Sequence, residues 1–186
     1  MKRLWVLLVC CIFLLGCSRE DPGIDDALSL RQNLLNCKTC SFACTVTADY
    51  AERIFTFTME CNIEDSGCIR FSVTEPESIS GITGYIEENG AKLTFDDQVL
   101  LFPMLADGYI SPVCAPFLML QCLKGGYIHS VAKAEEGSFT IYHDSFAGEP
   151  LQLDLWTDDS NNPISAEILW EGRRILTLDV RNFSCV

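Results

Sequence analysis

Phe42-Ala43-Cys44-Thr45-Val46-Thr47-Ala48-Asp49, followed one turn later by Phe55-Thr56-Phe57-Thr58-Met59-Glu60-Cys61, is the stretch that decides the fold. Every second residue belongs to one apolar set: Phe42, Cys44, Val46 and Ala48, then Phe55, Phe57, Met59 and Cys61. Their partners are mostly threonine and acid. A period of two sends successive side chains to opposite faces of a strand, so each segment has one face for a core and one for water. Residues 49–52 turn between them, and residues 62–67 turn into a third segment with Ile69, Phe71 and Val73 in step. Strands with one wet face belong to an antiparallel sheet. The same register places Cys61 on the core side and Cys68 outward, so a bridge between them needs a bulge at the turn.

Toward the C-terminus the signal recurs at 81–86, 91–95, 99–102, 127–131, 138–143, 151–156, 164–170 and 174–183. Asn89-Gly90 supplies the positive φ of a tight hairpin. Residues 158–163 and Glu171-Gly172 are further turns. The spacing predicts a meander. Residues 112–123 break it: Phe117, Leu118, Met119, Leu120, Cys122 and Leu123 surround a single polar residue, Gln121. Prolines 112 and 116 open this segment and Lys124-Gly125-Gly126 closes it, which reads as a helix. A helix apolar on all sides has to be covered on all sides, so it is expected inside the hollow of the sheet. Two readings stay open. It is a permanent core helix, or it is a plug whose Phe117, Leu118, Met119, Leu120 and Leu123 line an apolar ligand pocket.

Toward the N-terminus, Ile24, Ala27, Leu28, Leu34 and Leu35 follow helical spacing to about Asn36. Asp21 is the expected N-cap, Pro22 falls in the first turn, and Asp25 and Asp26 suit the positive end of the helix dipole. The expected fold is mainly β with one or two helices (α+β), a single curved antiparallel sheet forming an open half-barrel over the helices.

The chain begins with a different code. Lys2 and Arg3 precede an unbroken apolar run from Leu4 to Leu15, then Gly16 and Cys17. That is the layout of a secretory signal. A helix of that run reaches roughly 18 Å, short of the roughly 30 Å hydrocarbon core. Leu14-Leu15-Gly16-Cys17 resembles the lipobox of bacterial lipoproteins, in which a diacylglyceryl group joins the cysteine sulfur and the chain is cut before it. The resemblance implies three parts: 1–16 a signal peptide, 17–23 the lipidated Cys17 with a short tether, and 24–186 the half-barrel domain. The expected place is the extracytoplasmic face of the cell membrane, with the membrane as partner through Cys17. A tether of six residues spans at most about 20 Å, which holds the domain near the bilayer.

Charge and cysteines narrow the rest. The formal charge is −13, and losing Lys2 and Arg3 takes it to about −15. Such a surface repels phosphate, so no nucleic acid is expected as a partner. Of 11 cysteines, Cys10 and Cys11 leave with the signal and Cys17 carries the anchor. Cys37, Cys40, Cys44, Cys61, Cys68, Cys114, Cys122 and Cys185 remain. Outside the cytoplasm an even number suggests disulfides. Their apolar neighbours suggest small buried hydrophobes instead, and mostly packed thiols are expected. Cys37-x-x-Cys40-x-x-x-Cys44 is the one tight cluster. It has no fourth metal ligand nearby in the chain, and no metal is expected.

Catalytic patterns are missing. There is no His-Glu-x-x-His, no Gly-x-Ser-x-Gly and no phosphate-cradling glycine loop. His143-Asp144-Ser145 strings three triad residues along one strand end, whereas a triad draws them from separate elements. Asp158, Ser160 and Asn162 faintly follow a calcium loop, but Leu169 stands where the bidentate glutamate belongs. No enzyme activity and no cofactor are expected. The order of elements (lipobox, amphipathic helix, antiparallel strands, apolar helical interruption) resembles the bacterial lipoprotein-carrier (LolA/LolB-like) superfamily. Phe71-x-Val73-x-x-Pro76, Gly81-Ile82-x-Gly84 and Leu100-x-Phe102-Pro103-x-Leu105 are similar to segments of envelope lipoproteins of spore-forming Gram-positive bacteria. The resemblance implies a half-barrel of about eleven strands over helices, with acyl chains or another apolar ligand held between. No ligand-contacting residue carries over by motif. The anchor is a departure, because soluble carriers have none, and it favours a resident membrane protein. The alternative is a structural or interaction module with an envelope protein as partner, in the envelope or in sporulation.

Overall fold

The structure, a computed structural model, describes residues 23–63, 67–88, 90–95, 98–106 and 108–186. The signal, the lipobox with Cys17, the tether as far as Pro22, and Asn89 lie outside the described residues; the N-cap expected at Asp21 is instead Gly23, with no side-chain hydrogen bond, because the helix begins only at Ile24.

Helix α1 (Ile24–Asn36) leads into β1 (Cys40–Asp49), β2 (Ile54–Ile63), β3 (Ile69–Glu75), β4 (Thr83–Glu87), β5 (Gly90–Phe95) and β6 (Gln98–Phe102). The short hairpin β7 (Leu105–Ala106) and β8 (Tyr109–Ile110) precedes α2 (Ala115–Gly125). The chain finishes with β9 (Tyr127–Lys133), β10 (Ser138–Phe146), β11 (Glu149–Thr157), β12 (Pro163–Trp170) and β13 (Arg173–Cys185). Eleven strands make one sheet in the order β6-β5-β4-β3-β2-β1-β13-β12-β11-β10-β9. Every neighbouring pair is antiparallel. The course follows from the turns. Successive antiparallel strands walk the chain outward from β1 to the β6 edge, with a 3-10 turn at Glu77–Ile79 between β3 and β4. The segment carrying β7, β8 and α2 then crosses to the far edge, and a second meander returns from β9 to β13 beside β1. The twist inherent in so wide a sheet curls it, and α2 fills the inner face against β10, β12 and β13.

Burial confirms the period of two. Cys40, Phe42, Cys44, Val46 and Ala48 alternate with partly exposed neighbours along β1. Met59, Cys61 and Ile63 continue that face on β2, and Ile69, Phe71 and Val73 on β3. Leu151, Leu153 and Leu155 do the same on β11. The register sets Phe42 opposite Cys61 and Cys61 opposite Phe71, which leaves Cys68 half-buried before β3 begins. Gly137 shows where a turn admits only glycine: its φ is +75°, and a Cβ there would lie 1.7 Å from the Thr157 carbonyl oxygen.

Three expectations need correction. In α1 the apolar set divides: Ala27 and Leu34, joined by Leu30, are buried, while Ile24, Leu28 and Leu35 are exposed. The helix is covered on one side only, by α2 and β9. On β2, Ile54 and Phe55 are exposed at 67% and 46%, because the strand runs past the end of the core; Phe55 there joins Tyr50 and Tyr109 in an aromatic cluster. Strands β7 and β8 went unforeseen, since two residues carry no period.

The prolines and glycines around α2 act as the sequence indicated. Pro112 opens a 3-10 turn through Cys114, Pro116 sits in the first helical turn, and Gly126 N–H donates to the Cys122 carbonyl at 2.8 Å. A residue far away completes the cap. Arg31 Nε donates to the Leu123 carbonyl at 2.8 Å, and Arg31 Nη2 donates to the Gly126 carbonyl. The same guanidinium lies 5.9 Å over the Tyr142 ring.

Candidate functional site

The residues proposed from sequence as a pocket or plug take two different places. Leu118, Met119 and Leu123 are fully buried in the core, and Leu120 is nearly so. Phe117 and Leu120 line a cavity of about 380 Å³ between α2 and the ends of β2 and β3. Ile63 and Ile69 form its opposite wall, and Gln121 and Lys124 its polar margin. The helix is therefore not covered on all sides, which corrects the sequence expectation. Phe117, Leu120, Gln121 and Lys124 are spaced i, i+3, i+4 and i+7, a single helix face, and this face fronts the cavity. The lone glutamine in the apolar run was the signal for it. Lys124, read from sequence only as a helix-closing residue, turns out to border the cavity.

A smaller recess of about 130 Å³ adjoins it, lined by Leu34, Leu35, Cys37 and Cys40. Both hollows share Ile63, Gly67 and Lys124, so they are neighbouring parts of one cleft. Exposed Leu35 thus belongs to the cleft. Another hollow, of about 430 Å³, lies at the β4–β6 edge. Tyr85 and Lys92, whose ammonium lies 5.4 Å from the centre of the Tyr85 ring, help to line it, and no residue of α2 does. The cleft on α2 is the better candidate, since it joins a core helix to the surface along an apolar wall.

The tight cysteine cluster is split. Cys37 and Cys40 line the recess and both neighbour Cys185, while Cys44 meets Cys61 on the buried face of the sheet. Burial pushes the Cys37 thiol up, and the neighbouring Cys185 adds to this. Hydrogen bonding with Cys40 and then burial push Cys185 up, while Lys124 opposes the shift. Hydrogen bonding with Cys44 and burial hold Cys61 well above the usual thiol range.

The other candidates dissolve into local structure. His143, Asp144 and Ser145 alternate across β10, and the Asp144 carboxylate accepts from the Ser145 N–H at 2.8 Å, so they form no triad. His143 instead stacks on His129, with ring centres 4.5 Å apart. The Asp158 carboxylate accepts from Ser160 N–H at 2.9 Å, Asn162 N–H at 2.8 Å and Asn162 Nδ2 at 3.2 Å, which builds a turn from the calcium-like residues. Among the described residues no cluster of three or more His, Cys, Asp or Glu side chains is arranged to hold a metal. No helix among them is long and apolar enough to cross a membrane.

No family model matches the sequence, and no curated protein matches it. Similar solved structures exist at low identity. An uncharacterized conserved protein from Thermus thermophilus is 14% identical, with 88% of this chain and 87% of that one covered and a TM-score of 0.48. The LolA superfamily protein NE2245 from Nitrosomonas europaea is 11% identical, with 85% and 92% covered and a TM-score of 0.44. The lipoprotein LppX of Mycobacterium tuberculosis is 11% identical, with 88% and 96% covered and a TM-score of 0.41. No site residue is carried over from any of them.

Proposed function

We propose that this chain is an envelope lipoprotein, held on the extracytoplasmic face of the cell membrane by a diacylglyceryl group on Cys17, whose domain binds a lipid without transforming it. The observation that carries the reading is the cleft of about 380 Å³ between Phe117 and Leu120 of α2 and Ile63 and Ile69 of the sheet. Its volume falls in the range of about 300–1,000 Å³ of pre-formed small-molecule sites. Apolar walls suit an acyl chain. Lys124 at the margin suits an anionic head, such as a carboxylate or phosphate. The ligand lies beside α2 and leaves it in place, because withdrawing Leu118, Met119 and Leu123 from the core would forfeit about 1.5–3 kcal/mol each. The register of Leu4–Leu15, Gly16 and Cys17 supports the anchor, and a membrane-held domain is a resident receptor and not a shuttle.

A fluorescent fatty acid and native mass spectrometry test the binding. The wild-type protein should take up the probe. Leu120→Trp, which fills the cavity, should weaken uptake at least about tenfold, equivalent to about 1.4 kcal/mol, with the fold retained. Leu118→Ala should cost about 2–5 kcal/mol of stability while its folded fraction still binds. A clean apo mass together with no uptake would remove the lipid reading and leave the interaction-module alternative. For the anchor, labelled fatty acid should enter the wild-type chain and not Cys17→Ser; equal labelling of both refutes it.

A further inference from the structure

Three parts of the chain bring thiols together: Cys37 just after α1 and Cys40 at the start of β1, which both line the recess, and Cys185 at the end of β13, which neighbours them both. The β1–β13 register sets Cys40 directly opposite Cys185. The next pair outward, Thr39 and Val186, exchanges both backbone hydrogen bonds, at 3.1 and 2.9 Å. Antiparallel ladders alternate hydrogen-bonded and non-hydrogen-bonded pairs, so Cys40 and Cys185 form a close pair with a Cα separation of about 4.5 Å. Disulfides accept Cα separations from about 4.4 to 6.8 Å. Directly opposed residues also share a face, so both thiols point to the same side of the sheet.

Other pairs do not meet this geometry. Cys44 is opposite Met59, and Cys61 is opposite Phe42. Cys44 and Cys61 are therefore diagonal neighbours whose thiols touch but whose Cα atoms stand about 7–8 Å apart, wider than an unstrained bridge accepts. Both are fully buried. Cys37 and Cys40, adjacent by spacing, are drawn to the same third thiol. Access differs as well. Cys185 and Cys37 are half-buried, and the recess lined by Cys37, Cys40 and Lys124 opens to solvent beside them.

We propose that Cys40 and Cys185 are a disulfide site, oxidised by exchange with a small-molecule disulfide of the glutathione type. The Cys185 thiol, half-buried where Cys40 is buried, first gives up its proton to solvent, and the thiolate so formed attacks one sulfur of the external disulfide. The external S–S bond breaks, and its other half leaves as a thiolate that takes up a proton. The Cys40 thiolate then attacks the Cys185 sulfur and expels the second half, which is also protonated. Two protein thiols and one external disulfide give one protein disulfide and two external thiols. The bond ties the first strand of the chain to the last, at the middle of the sheet and beside the recess that adjoins the cleft. It rests on strand register and not on the lipid reading, and the two stand or fall separately.

The test is oxidation of the full, folded chain with glutathione disulfide. Alkylation in denaturant without reductant, digestion and peptide mass mapping follow. The expected product is a Cys40–Cys185 linked peptide, with Cys37, Cys44 and Cys61 alkylated. Cys37→Ser should form the same link. Cys185→Ser should lose it and leave Cys40 alkylated. The oxidised wild type should melt higher than its reduced form. Full alkylation of Cys40 and Cys185 after oxidation of the wild type would overturn the proposal. So would a dominant Cys37–Cys40 or Cys37–Cys185 link, or a glutathione adduct confined to Cys37. These readouts come from the wild-type chain, so they hold even if a variant fails to fold.

Discussion

Arg31 is the residue on which the helical layer turns. The last carbonyls of a helix have no partner within it, and a cation is favourable at that end of the dipole. Arg31 meets both needs for α2 from a position 92 residues earlier in the chain. Its fork reaches the Leu123 and Gly126 carbonyls, and its plane lies over Tyr142. Arg31→Ala should cost about 1.5–3 kcal/mol, the usual worth of a hydrogen bond to a charged group, read from urea unfolding. Arg31→Lys should recover only part of it, because a point ammonium cannot fork. A fully stable alanine variant would show the clamp to be ornamental. Nothing in the sequence around Arg31 announces this role, since the helix-periodic pattern treats it as one more polar residue. The lysine–acid contact nearby is of a different weight. Lys133 Nζ and Asp26 are 3.3 Å apart, but both side chains are largely exposed, where such pairs add little.

At the scale of the element, β6 is the strand most at odds with its composition. Val99, Leu100, Leu101 and Phe102 are all exposed, Leu101 at 78%. Among the described residues the strand pairs with β5 alone and forms one edge of the sheet. An apolar edge with open backbone groups is a template for pairing with another chain. Leu101→Lys should therefore lower self-association in concentrated solution, measured by sedimentation. Its effect on unfolding free energy should stay within about 0.5 kcal/mol. Unchanged sedimentation would show that the edge is already protected. The apolar run of β6 was read correctly as a strand, but its composition gives no sign that it lies exposed at an edge of the sheet. Helix α2 errs the other way. Its sequence reads as uniformly apolar, yet the face with Gln121 and Lys124 opens on the cleft while the rest packs in the core.

The whole molecule carries buried acids of a weak kind. Burial pushes the Cys114 thiol up to about 12. Burial, with the Asp144 carboxylate adding, does the same to Cys122. The Tyr50 and Tyr142 hydroxyls are also pushed up to about 12 by burial. Each group keeps its proton in the folded chain at a pH where the unfolded chain has released it. Stability is therefore complete below the unfolded thiol value of 9.0 and is lost as pH rises toward about 12. Urea midpoints should be level between about pH 7 and 8 and fall steadily above about pH 9. A midpoint that rises over that alkaline range would contradict the burial of these groups.

By itself the sequence determined the class of fold. The period of two along β1, β2, β3 and β11 has only one compact solution, a sheet with one buried face. Prolines at 112 and 116 and glycines at 125 and 126 set the ends of α2 in the same local way. These signals are local because they depend on the spacing of neighbours along one backbone. Tertiary structure alone decided which of these surfaces remain open. The exposure of Leu35 and Leu101, the Arg31 clamp and the meeting of Cys37 and Cys40 with Cys185 each depend on residues far away in the chain. Their cause is the closure of two meanders at β1 and β13, with α2 laid on the inner face against β10, β12 and β13. No short-range pattern encodes that closure, because it is set by how eleven strands twist together.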